Sequence, residues 1–142
     1  MKLDTSKRVQ REGDEREKAI LVALELPGSQ ASYRGRLHEL ELLADTAGAD
    51  TIDRFVQKRA KPDPRTFIGK GKAQEIGDAM VALGADLVIV DHDLSPSQAR
   101  NLEKAVGGRV IDRTELILDI FARRARSKMA QTQVELAQME YT

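Results

Sequence analysis

The chain has 142 residues, 41% of them hydrophobic, with 23 basic residues against 23 acidic ones and no cysteine. That length suits one domain able to bury about two thirds of its unfolded surface, with disulfides and thiolate metal sites excluded. Zero net charge excludes nucleic-acid binding by the whole molecule's charge. With no secretory signal and no apolar run near the ~18 residues of a membrane span, the cytosol is the expected compartment.

Residues 1–16 are dense in charge and poor in apolar groups, which predicts a flexible charged tail. Residues 19–26 form a continuous apolar run stopped by Pro27 and Gly28, the pattern of a strand buried on both faces. Leu37, Leu40, Leu43, Ala44 and Ala47 then recur at helical spacing, with Gly48 placed to end the helix. Residues 51–58 read as a second, more edge-like strand, and Pro62-Asp63-Pro64 breaks regular structure. Ile76, Ala79, Met80 and Leu83 mark a second helix closed by Gly84, and residues 86–91 the clearest buried strand. Ser95, Pro96 and Gln98 carry the signals of a capping box with proline at the first helical position, while Leu94 and Ala99 suit a hydrophobic staple. Gly107 and Gly108 end that helix before a strand at 109–112. The order βαβαβα and β predicts an α/β body over 17–112, a small parallel sheet with helices on both faces.

Residues 113–142 predict a C-terminal α-helical hairpin. One helix starts near Thr114 and packs Leu116, Ile117, Ile120 and Phe121. A turn follows at the basic residues 123–128, and a second helix returns through 133–141 with Val134, Ala137 and Tyr141 facing the first. The helical pattern is still running where the chain ends, which predicts a following domain.

Two stretches are locally cationic. Residues 54–72 hold seven basic groups against one acid, Asp63, and residues 123–128 hold four with none. Solvated surface and a phosphate-contacting surface both fit such patches. Gly69, Lys70, Gly71 and Lys72 are a candidate phosphate-binding loop, or a tight turn with exposed lysines; no GxxxxGK[ST] loop occurs in the chain. Asp45-Thr46-Ala47-Gly48 spells a GTPase motif, but its glycine serves better as a helix stop. Asp91-His92-Asp93 follows a buried strand at the edge where open α/β sheets hold ligands. A solvated loop, a metal site and a phospho-acceptor aspartate are its readings, although a receiver's acidic pair and its lysine-proline pair are missing. His38 reads as a surface residue, and no GxSxG, HExxH or cysteine nucleophile supports a hydrolase.

Six segments together resemble a known family: 64–72, 84–91, 94–103, 110–114, 116–122 and 133–138. In order and in kind they are similar to the N-terminal domain of the HflX family of ribosome-associated GTPases, over about residues 19–141. The resemblance implies an α/β subdomain and a helical hairpin followed by a P-loop GTPase domain. GTP and Mg2+ would belong to that domain, with no cofactor and no catalysis in this chain. It implies the large ribosomal subunit and its rRNA as partners, alongside the GTPase domain, in ribosome splitting or rescue. The RNA-contacting tip would be Arg123, Arg124, Arg126, Ser127, Lys128 and Gln131. Apolar hairpin faces left uncovered would favour a dimer of this chain. The other reading of the residues is a small α/β nucleotide (ATP)-binding domain using the loop from Gly69 to Lys72.

Overall fold

The apolar run that opens the chain becomes the central strand of a parallel sheet because every residue from Ala19 to Leu24 is buried. The structure, a computed structural model, describes residues 16–28 and 33–140. Its elements are β1 (Glu17–Glu25), α1 (Tyr33–Ala47), β2 (Ala49–Lys58), α2 (Lys70–Leu83), β3 (Leu87–Val90), α3 (Pro96–Val106), β4 (Arg109–Asp112) and α4 (Arg113–Glu140). The sheet order is β2-β1-β3-β4, and all three pairings are parallel. β2 is the edge strand that its mixed composition suggests.

Alternation along each strand sorts the core into two layers. Ala19, Leu21 and Ala23 of β1, Leu87 and Ile89 of β3, and Ile111 of β4 face α1 and α4, meeting Leu37, Leu40, Leu116 and Ile120. Ile20, Val22, Leu24, Val88, Val90 and Val110 face α2 and α3, meeting Ile76, Met80, Leu102 and Val106. The predicted α/β body with helices on both faces is therefore present.

Local signals set the ends of the helices. Ser95 Oγ accepts the Gln98 N–H, Gln98 Oε1 accepts the Ser95 N–H, and Pro96 stands at the first helical position. Gly107, at φ 72°, closes α3 in the left-handed region. Asp112 begins α4 by accepting the Glu115 N–H on its carboxylate.

The hairpin expected at 113–142 is not formed among the described residues. α4 runs unbroken for 28 residues through the predicted turn at 123–128. It contains no glycine or proline, and Leu, Ala, Arg, Lys, Met, Gln and Glu dominate it, so nothing in its backbone chemistry asks for a turn. Arg123 pairs with Asp119 one turn earlier, and the Thr132 hydroxyl donates to the Lys128 carbonyl. The helix is about 42 Å long. Val134, expected to face a first helix, is exposed, and Tyr141 lies outside the described residues.

The charged tail predicted for 1–16 falls outside the described residues except for Arg16. That residue is anchored: its guanidinium pairs with Asp50 at 2.8 Å and with Asp45. No helix among the described residues is long and apolar enough to cross a membrane.

Candidate nucleic-acid interface

The position of α4 is set where it leaves the sheet. Arg113 Nη1 donates to Asp91 Oδ1 at 2.9 Å, and its Nη2 donates to Glu39 on α1. Arg36, also on α1, points Nε at the other oxygen of Asp91 across 3.4 Å and donates from Nη2 to the Leu24 carbonyl. The Asp91 side chain is 1% exposed. A buried carboxylate held between two guanidiniums thus ties β3, α1 and α4 together. Burial opposes the charge of Arg113, but Asp91 and Glu39 outweigh it and raise its pKa.

This corrects the reading of Asp91-His92-Asp93 as a solvated loop. β1 and β3 send their chains to opposite faces here, so this is the sheet's topological switch point. Asp91 fills it with ion pairs, the Thr114 hydroxyl donates to Asp93, and His92 lies half-buried with its ring 5.2 Å from that of Phe67. Burial holds the His92 pKa below its usual range, reinforced by Arg36 and Arg113 and opposed by Asp91 and Asp93. Among the described residues, no three His, Cys, Asp or Glu side chains gather as metal ligands.

From Asp91, α4 runs back across the sheet. Leu116 and Ile120 are buried against α1, and Arg123 arrives near Glu17 at the start of β1. Beyond that edge the helix overhangs the body, and its body-facing side changes from apolar to basic. Arg123, Arg124, Ser127, Lys128 and Gln131 line an open groove with Ile120 and Thr46, the latter from the end of α1. Five of the six predicted RNA-contacting residues are therefore on one face. Arg126 lies off that face at helical spacing and does not line the groove. Arg124, Ser127, Lys128 and Gln131 are exposed, whereas Arg123 is held by the buried carboxylate of Asp119 at 3.2 Å.

The other candidate, Gly69 to Lys72, stands at the opposite edge of the sheet. It is not a tight turn. Gly69 is the N-cap residue of α2 with extended φ and ψ, and Lys70, Gly71 and Lys72 are the first turn of the helix. The Gly69 N–H donates to Gln57 Oε1 at 2.8 Å, and a β-carbon there would meet the Arg59 guanidinium at 2.9 Å. Lys72 pairs with Glu75 at 3.1 Å and sits 6.0 Å from the Phe55 ring, which leaves Lys70 as the exposed cation of the motif. The preceding loop is braced by Asp63, whose carboxylate accepts the N–H groups of Arg65 and Thr66, and by Phe67 at φ 67°. Those two N–H groups hold the Asp63 carboxyl below the usual carboxylate range. His38 is exposed, and Asp45 to Gly48 ends α1, as their spacing suggested.

Sequence reasoning missed the Arg36–Asp91–Arg113 group. Its only linear trace is an arginine following the fourth strand and one in the first helix. Pairing them with Asp91 requires the topology.

Residues 34–122 match the family described as GTP-binding GTPase N-terminal. The chain belongs to that family. GTPase HflX of Lacrimispora saccharolytica is 47% identical over 125 residues, which covers 88% of this chain and 29% of that protein. GTPase HflX of Escherichia coli is 46% identical over 128 residues, covering 90% and 30%. This member of the GTP-binding GTPase N-terminal family therefore spans about 30% of the length of those relatives. Among solved structures, a GTP-binding protein of the hyperthermophilic archaeon Sulfolobus solfataricus in complex with GDP matches at 25% identity and a TM-score of 0.58. That match covers 88% of this chain and 36% of that one. A complex of SsGBP with GDP gives a TM-score of 0.61 at 25% identity, covering 88% and 35%.

Proposed function

We propose that this chain is the non-catalytic RNA-contacting module of an HflX-like GTPase, engaging the rRNA of the large ribosomal subunit through the basic face of α4. The observation that carries this reading is the groove lined by Arg123, Arg124, Ser127, Lys128 and Gln131 on a helix that overhangs its body. A rigid helix spares the backbone ordering that a disordered segment undergoes on meeting RNA, and arginine's planar fork pairs with phosphate and stacks on unpaired bases. Ribosome splitting or rescue in the cytoplasm is the activity in which such a module would serve. Its partner GTPase domain would hold GTP and Mg2+.

The test is co-sedimentation of the chain with large ribosomal subunits across a salt series. Binding that weakens linearly in log–log form as salt rises supports the reading. Binding indifferent to salt, or absent at low salt, returns the basic face to solvated surface. Sustained GTP turnover by the chain alone would refute the non-catalytic part.

The second reading, ATP binding at Gly69 to Lys72, is favoured by one feature: the N-terminus of α2 has no side-chain cap and carries exposed Lys70. The Lys72–Glu75 pair weakens it. Calorimetric titration of ATP into the chain and into a Lys70→Ala/Lys72→Ala variant decides between the two.

A further inference from the structure

The segment between β2 and α2, residues 60–68, is laid over the carboxyl edge of the sheet. Both its ends are tied: the Arg59 N–H donates to the Glu25 carbonyl and the Gly69 N–H to Gln57 Oε1. Between them the segment folds on itself. Asp63 and Phe67 exchange backbone hydrogen bonds of 2.9 and 2.8 Å, and the Asp63 carboxylate accepts the N–H groups of Arg65 and Thr66. Pro62 and Pro64 stiffen the same turn. Such a piece is built to move as one body.

The contacts that hold it down are few and specific. Phe67 and Ile68, 3% and 0% exposed, enter the core layer of Leu24, Val90 and Leu102. Two side chains of α3 reach across to it: Gln98 Nε2 donates to the Asp63 carbonyl at 3.1 Å and Asn101 Nδ2 to the Arg65 carbonyl at 3.0 Å. Two features oppose closure. Among the described residues, Phe67 is the one non-glycine residue at positive φ, 67°, a region its β-carbon disfavours. Its ring lies 5.2 Å from that of His92, whose buried Nδ1 has no hydrogen-bond partner among the described residues.

We propose that residues 60–68 are a pH-sensitive strap, which opens as one unit and lets water reach His92. Opening bares the carboxyl ends of β1 and β3, against which Phe67 and Ile68 pack, at the crevice where open α/β sheets take ligands.

Acid favours the open form. Burial lowers the His92 pKa; Arg36 of α1 and Arg113 of α4 add to that, while Asp91 and Asp93 in its own turn oppose it. From the strap the ring meets Phe67, which carries no charge. Opening removes part of the burial, so the open form takes up the proton more readily, and the balance moves toward it below about pH 6.5. Asp63, the acid within the strap, is held below the usual carboxylate range by the Arg65 and Thr66 N–H groups, so it stays charged down to about pH 5.5.

The test is amide hydrogen exchange of the full chain, read residue by residue by NMR and corrected for the pH dependence of exchange chemistry. Asp63, Thr66, Phe67 and Ile68 should share one protection factor, well below that of the β1 amides and less sensitive to urea. Asn101→Ala removes one clasp and should lower all four by roughly fivefold. β1 should keep its protection or gain, since alanine is the better helix former. Gln98→Glu keeps the acceptor for the Ser95 N–H, loses the donor to Asp63 and should act alike. From about pH 7.5 to about pH 5.5 the four factors should fall by as much as about tenfold, and His92→Gln should abolish that fall. Strap amides that exchange only together with β1, or a loss confined to a single amide, overturn the proposal. No fall with pH, or the same fall in His92→Gln, overturns it equally.

Discussion

Arg113 donates to Asp91 across 2.9 Å, joining the first residue of α4 to the residue that follows β3. Arg36 faces the other carboxylate oxygen, so one buried acid fixes the direction in which a 28-residue helix leaves the sheet. The basic groove takes its place from that junction.

Asp91→Ala should therefore destabilise the chain by about 3 kcal/mol, because it strands two largely covered guanidiniums without their anion. Asp91→Asn keeps an acceptor and should lose less. The check is urea unfolding by circular dichroism, with an unchanged m-value showing that stability alone has moved. Equal midpoints for wild type and Asp91→Ala would remove the junction's structural role.

His92 gives the fold a pH dependence of known sign. Its folded pKa is depressed below 6.5 by burial, so the unfolded chain takes up this proton first as pH falls. The neutral ring's contribution is complete above about pH 6.5 and is lost progressively toward the folded pKa, with a slope of at most about 1.4 kcal/mol per pH unit. Carboxylates also titrate toward the acid end, so the measurement is the difference in unfolding free energy between wild type and His92→Gln from pH 8 to pH 5. That difference should shift in the variant's favour as pH falls below about 6.5. A constant difference would mean that the ring is protonated equally in both states.

How much of this was legible in the chain follows from which signals are local. The run at 19–24, the Ser95 capping box and the glycines after α2 and α3 act within a turn or a strand, and each formed where its residues indicated. The expected hairpin is absent among the described residues because a cluster of charges does not by itself make a turn. Arg123 to Lys128 contains no residue that prefers to leave a helix, and the absence of glycine and proline from 113 to 140 already argued for continuity. Five of the six tip residues still share one face, since helical spacing alone puts them there. The Asp91 junction was illegible for another reason. Its three members lie 22 and 55 positions apart, and only the β2-β1-β3-β4 order brings them together.

The two ends of α3 separate side-chain from backbone effects. Ser95→Ala removes the cap that accepts the Gln98 N–H and should cost about 1 kcal/mol. Gly107→Ala meets no atom within 4 Å, so its cost comes from forcing a β-carbon into φ 72°, again about 1 kcal/mol. The sites share no partner, and the double variant should lose the sum within about 0.5 kcal/mol. Chemical denaturation of the four proteins measures both terms and their coupling.

Position on the helix, more than charge count, should govern binding to rRNA. Arg124→Glu with Lys128→Glu reverses two exposed cations that line the groove, whereas Arg126→Glu reverses one that does not. If both groove residues neutralise phosphates, charge-removing versions, Arg124→Gln with Lys128→Gln, should flatten the log–log salt slope by roughly 1.4, using the single-strand value per phosphate. Arg126→Gln should leave that slope close to wild type. Titration of large ribosomal subunits at four or five salt concentrations supplies the slopes. Equal losses for Arg126→Gln and for either groove substitution would show that RNA meets the helix as a diffuse positive rod, and the groove would lose its claim as the contact surface.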